Sequence, residues 1–158
     1  MPWFLRIGFR ADRWLALPWL PAGEVQADAV KDFNRIKNNT MSVFSVNSDA
    51  EGIRAAIAIA CKDVQEQAFG YALFDVEATQ ALGIQIVASG GDTPDPEVNV
   101  WHRELRELTF AHLSEVAKLI KQQDRVEDIP LPAFKDRLRL AIEAGQIERG
   151  QVPRKNLG

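Results

Sequence analysis

The stretch from Met41 to Val76, MSVFSVNSDAEGIRAAIAIACKDVQEQAFGYALFDV, decides the fold. It opens with Val43, Phe44 and Val46 between polar residues, the pattern of a strand. Ser48-Asp49-Ala50-Glu51 follows with capping-box spacing: the serine side chain accepts from the amide three residues on, and Glu51 reaches back to the cap. Ile53, Ala56, Ile57 and Ala60 then recur at helical intervals. Ala56, Ala58 and Ala60 keep this helix slim enough to lie close against a sheet. Phe69 to Val76 is a second apolar run. Strand, helix and strand in this order predict a right-handed βαβ crossover, with strands 41–46 and 70–76 parallel.

Outward from this unit, residues 3–9 (WFLRIGF) read as a half-buried strand, with Arg6 and Arg10 alternating with Leu5, Ile7 and Phe9. Trp14 to Leu20 reads as a second extended piece broken by Pro18. Ala29, Phe33 and Ile36 have helical spacing up to Asn38-Asn39. Glu77 to Leu82 leaves room for one or two helical turns before a strand at 84–88. Ser89 to Pro96 is dense in breakers and reads as a loop. Beyond it, Val98, Trp101, Leu105 and Leu108 mark one helical face, and Leu113, Val116 and Ile120 mark a stripe shifted from it. Residues 97–122 therefore read as one curved helix or as two helices broken at Thr109, an acceptable N-cap. Asp128 to Pro132 reads as a connector. Phe134, Leu138, Ala141 and Ile142 mark a last helix stopped by Gly145.

The expected fold class is α+β. It is a single domain over residues 1–150, with a small mixed sheet holding one βαβ unit (strands near 3–9, 41–46, 70–76 and 84–88) and a helical C-terminal half. Residues 151–158 are expected to fray. The length of 158 residues and the 46% hydrophobic content suit one core that needs no covalent staple.

One cysteine, Cys61, excludes a disulfide framework and any thiolate-rich metal site, and points to a reducing, cytoplasmic setting. No apolar run is long enough to span a bilayer. Arg6, Arg10 and Arg13 ahead of Trp14–Ala22 have the layout of a signal peptide, but Asp12 and Pro18 interrupt it. No cofactor and no metal are expected. On a single helix His102 and His112 would stand roughly 280° apart, and no second Glu-x-x-His element is present.

Each chemical candidate has a plain structural reading beside it. His102, with Glu104 and with Asp75 at a strand end, is the weak catalytic set, as a general base among carboxylates. A surface histidine on a helix is the simpler and favoured explanation. Cys61 lies at a helix C-terminus, whose dipole disfavours a thiolate, so it reads as a small core residue. Gly90-Gly91-Asp92-Thr93 sits where phosphate loops sit, yet lacks their motifs, and its acids repel phosphate.

Aromatic residues gather at the N-terminus: Trp3, Phe4, Phe9, Trp14 and Trp19. Trp3, Trp14 and Trp19 with Arg10 and Arg13 are the candidate binding residues, because aromatics beside arginines anchor protein interfaces. They also serve to anchor a strand on a core. The C-terminal segment is basic, with Lys135, Arg137, Arg139, Arg149, Arg154 and Lys155 against Asp136, Glu143 and Glu148. Lys135, Arg137 and Arg139 would serve a nucleic-acid partner. The sequence pI near 5.4 and the lack of a recognition-helix pattern argue against one.

These features favour a non-catalytic protein-interaction or regulatory protein of the bacterial cytosol, of an inhibitor, antitoxin-like or immunity-like kind. Another protein is the expected partner. The two offset stripes of residues 97–122 suggest a homodimer surface. A small enzyme around His102 and a weak nucleic-acid binder are the alternatives.

Overall fold

A computed structural model describes residues 2–158. Six strands form one sheet: β1 (Trp3–Phe9), β2 (Met41–Val46), β3 (Phe69–Asp75), β4 (Gln85–Ala88), β5 (His102–Arg106) and β6 (Val126–Ile129). Their spatial order is β4-β5-β2-β1-β3-β6. Five α-helices accompany them: α1 (Asp49–Ala60), α2 (Val76–Ala81), α3 (Pro96–Val100), α4 (Phe110–Gln123) and α5 (Leu131–Glu143). The fold class is α+β, as the periodicities indicate.

The crossover through α1 is present, but its strands are not neighbours. β1 lies between β2 and β3 and is antiparallel to both, so β2 and β3 run in the same direction one strand apart. Every hydrogen-bonded strand pair among the described residues is antiparallel, so the sheet is antiparallel and not the mixed one that the crossover suggests. Strand β1 competes for the central slot because both of its faces are apolar. Leu5 points into one core, and Phe4 and Phe9 into the other.

Alternation along the strands separates two cores. Leu5, Phe44, Val46, Tyr71 and Leu73 face α1, α3 and α5. Phe4, Val43, Ala72, Phe74 and Leu105 face α4 and the N-terminal segment around Trp14 and Ala29. The molecule is thus a sheet covered on both sides. A bulge makes the second core possible. The β1–β3 register shifts between Ile7 and Phe9, and Gly8 there has φ +92°, a conformation side chains other than glycine rarely adopt. The extra residue turns Phe9 away from the face of Leu5 and Ile7.

The segment 97–122 holds two helices, α3 and α4, and Thr109 caps the second as its side chain suggests, but the two do not adjoin. Strand β5 occupies its middle, paired with β2 on one side and β4 on the other. Leu105 enters the second core, and Val98 the first. The two offset stripes are therefore satisfied inside the chain, which removes the reason to assign this segment to a homodimer contact. Strand β6 likewise replaces part of the expected connector, so two strands interrupt the helical half. The extended piece expected over 14–20 forms no strand, and 3-10 turns occupy residues 11–14 and, in place of the expected helix, 27–33. Asn38 and Asn39, both at positive φ, form the tight turn closed by the Lys37–Thr40 bridge that leads into β2.

The C-terminal residues, expected to fray, are docked. Asn156 is fully buried. Its side-chain oxygen accepts from the Gln65 amide at 2.9 Å, and its side-chain nitrogen donates to the Asp63 carbonyl at 3.0 Å. Among the described residues no helix is long and apolar enough to cross a membrane.

Candidate functional site

The N-terminal segment, residues 10–36, forms a layer with α4 over the second core, and one carboxylate organises it. Asp32 is 2% exposed. Its oxygens accept from Trp14 Nε1 at 2.7 Å, from Arg13 Nη1 at 2.5 Å and from the Arg10 amide at 3.3 Å. A buried carboxylate requires this kind of saturation. Trp14 also packs against Phe9 and Phe33, with ring centroids 5.6 and 6.3 Å away. Lys121 of α4 donates to the Trp14 carbonyl at 2.6 Å and ties the segment to the helix.

Outside this anchor the layer is apolar. Val25, Val30, Phe33, Phe110, Leu113 and Ala117 line a groove of about 270 Å³ between residues 25–33 and α4. Phe110, the first residue of α4, is 91% exposed, and Val30 69%. Trp19 is 71% exposed, and Leu15, four residues earlier, is exposed as well. Polar residues on the same two elements are matched in charge: Lys31 pairs with Asp28, and Lys118 with Glu115. The groove thus has an apolar centre and a charge-paired polar rim.

The five binding candidates divide between the two faces of the sheet. Trp3 packs on the first core, under the Arg125 guanidinium at 5.4 Å. Trp14 is buried and hydrogen-bonded, so it shapes the layer without facing solvent. Arg13 is held by Asp32, and Arg10 is exposed. Only Trp19 is presented as a large free aromatic surface. Phe110 and Val30 had no sequence signal, because an N1 phenylalanine reads as part of an apolar stripe until its helix is placed.

His102 and Glu104 lie on β5, not on a helix. His102 is buried: Nδ1 is 2.9 Å from the Ser89 carbonyl, and the ring packs edge-on to Phe44 at 5.1 Å. Glu104 pairs with Arg106 at 2.7 Å. Asp75 caps α2, accepting from the Ala78 amide at 2.8 Å. β2 and β1 separate Asp75 from β5, a span of roughly 14 Å at the usual strand spacing. The catalytic candidates are not brought together. His112 closes a capping box with Thr109, its Nδ1 accepting from the Thr109 amide at 3.1 Å.

Cys61 is fully buried and its thiol donates to the Ala58 carbonyl at 3.3 Å. Burial pushes the thiol up to about 12, which keeps it protonated and unreactive at neutral pH. The glycine loop is held from within, Thr93 bonding through its amide and hydroxyl to the Asn99 side chain. Of the basic candidates, Lys135 donates to the Gly158 carbonyl, Arg139 pairs with Asp136, and Arg137 borders a cleft shared with Arg54 and Trp101. Among the described residues, no group of three or more His, Cys, Asp or Glu side chains is gathered as a metal ion requires.

No family model, no characterised protein and no solved structure matches this chain.

Proposed function

We propose that this is a non-catalytic interaction or regulatory protein of the cytosol, which docks a partner protein on the layer formed by residues 10–36 and α4. The observation that carries the reading is the groove around Phe110 and Val30. A phenylalanine left almost wholly in water, beside an apolar groove and a free tryptophan, costs solvation that a docked partner would recover. Asp32 supports the reading by holding the layer rigid, since a preorganised surface loses less entropy on binding. The lone buried thiol of Cys61 is compatible with a reducing compartment.

The test is recovery of a stoichiometric complex from native host extract. Phe110→Asp and Val30→Asp should each lower recovery at least tenfold while the circular dichroism spectrum stays unchanged. Leu140→Asp, on the exposed side of α5, serves as the control and should leave recovery intact. Undiminished recovery with both groove variants would overturn the assignment, and a complex made only of this chain would assign the groove to self-association.

A further inference from the structure

The β1–β2 ladder stops early. Its registered pairs run from Trp3↔Val46 to Leu5↔Phe44, while β1 continues along β3 as far as Phe9. The two strands part after Leu5, and the fork is filled by Arg6. Its Nη1 donates to the Ser42 carbonyl at 2.7 Å, an acceptor that β1 no longer uses. Arg6 is 8% exposed, yet no carboxylate among the described residues pairs with it, and its Nε is buried with no hydrogen-bond partner. Buried guanidinium groups are ordinarily matched by an anion.

The charge that acts on Arg6 makes the situation more unusual. Burial, and after it the repulsion of a second guanidinium, that of Arg35, lowers the Arg6 pKa only to about 10. Arg6 therefore keeps its positive charge at neutral pH. Both arginines border a cavity of about 200 Å³, whose other walls are Leu5, Ile7, Phe44 and Ile59, with Ser42 at the edge.

We infer that this fork is a binding site for a small organic carboxylate with a short apolar tail. The anion supplies the charge that Arg6 and Arg35 lack, and guanidinium groups match carboxylate geometry with paired N–H donors. The aliphatic and aromatic walls take the tail. The volume falls below the usual range of drug-sized pockets, which begins near 300 Å³, and this limits the ligand to a handful of heavy atoms. Inorganic phosphate matches the charge but not the apolar walls. The inference is independent of the docking groove: Arg35 belongs to the same N-terminal layer but lines a different opening, which shares no lining residue with the groove.

The experiment is titration of the full chain with sodium hexanoate, sodium benzoate and inorganic phosphate at constant ionic strength. The side-chain Nε–H resonance of Arg6 is followed by NMR, together with the backbone amides of Leu5, Ile7 and Phe44, which also report on the variants. The carboxylates should give saturable shifts of that resonance, with phosphate at least tenfold weaker. Arg35→Ala, at an exposed position that leaves the core untouched, should weaken carboxylate binding at least fivefold, and Arg6→Met should abolish it. Equal affinity for phosphate would overturn the carboxylate assignment. Unsaturable shifts in the wild type, or unchanged affinity in Arg35→Ala, would overturn the site itself, whether or not Arg6→Met folds.

Discussion

Asp32 does more for this molecule than its position in a polar run suggests. It holds the Trp14 indole, the Arg13 guanidinium and the Arg10 amide at once, so one side chain joins three separate points of the N-terminal layer. Asp32→Ala leaves an indole donor and an arginine without their acceptor. Removing one partner of a buried charged pair costs roughly 3 kcal/mol, and chemical denaturation should show a loss of that order. A loss below about 0.5 kcal/mol, the usual range for surface substitutions, would mean that the carboxylate is not the anchor.

Cys61 makes a second prediction at the same scale. Its thiol is raised from 9.0 to about 12 in the fold. Between those values the native state holds a proton that the unfolded chain has released, so the stability this group contributes is complete below about pH 9 and declines as pH rises. The stability difference between the wild type and Cys61→Ala should therefore shift against the wild type from about pH 8 to about pH 10. A thiol-specific reagent should label the protein only after unfolding. Rapid labelling of the native chain would refute the burial argument.

Residue-level legibility was mixed. Cys61 as a core residue followed from its place beside Ile57 and Ala60. Arg6 read as the solvent face of β1, because alternation cannot reveal that a neighbouring strand diverges and leaves a charged side chain enclosed. Asp32 gave no signal at all, since a carboxylate becomes an anchor only when residues 14 and 32 meet.

Among the elements, α1 was the most legible. Its serine cap accepts from the Glu51 amide at 3.1 Å, as the spacing requires. Strand β5 was the least legible. His-Arg-Glu-Leu-Arg offers a single buried apolar residue and sits between two helical stripes, so local periodicity favours a helix. Pairing with β2 and β4 overrides that preference. The β1–β3 contact also depends on a glycine that periodicity does not mark. A Cβ built on Gly70 would come within 2.1 Å of the Phe9 carbonyl oxygen, at the bulge that turns Phe9 into the second core. Gly70→Ala should destabilise the protein by more than about 3 kcal/mol, the range of severe single-residue changes, with a lowered melting temperature as the readout. A change below about 1 kcal/mol would show that the bulge tolerates a side chain.

For the whole molecule, the α+β class and the direction of β2 and β3 were readable, because a crossover helix sets both. The strand order was not, since nothing local to residues 3–9 tells that they will enter between the two strands of a unit that begins only at Met41. The same reasoning applies to the proposed docking surface. Its aromatic richness was visible near the N-terminus, but its exposed centre is assembled from Val30 and Phe110, which only the packed layer brings together. Trp3 and Trp14 are taken up by the two cores and leave Trp19 as the free member.

The central claim is that residues 10–36 and α4 form a docking face for another protein. The most direct measurement places the photo-cross-linking residue benzoyl-phenylalanine at Phe110, at Val30 and, as a control on α5, at Arg139, in cells of the native host. The account predicts that one protein is captured from both groove positions and not from the control. Capture of nothing specific at Phe110 and Val30, or equal capture at Arg139, would contradict it.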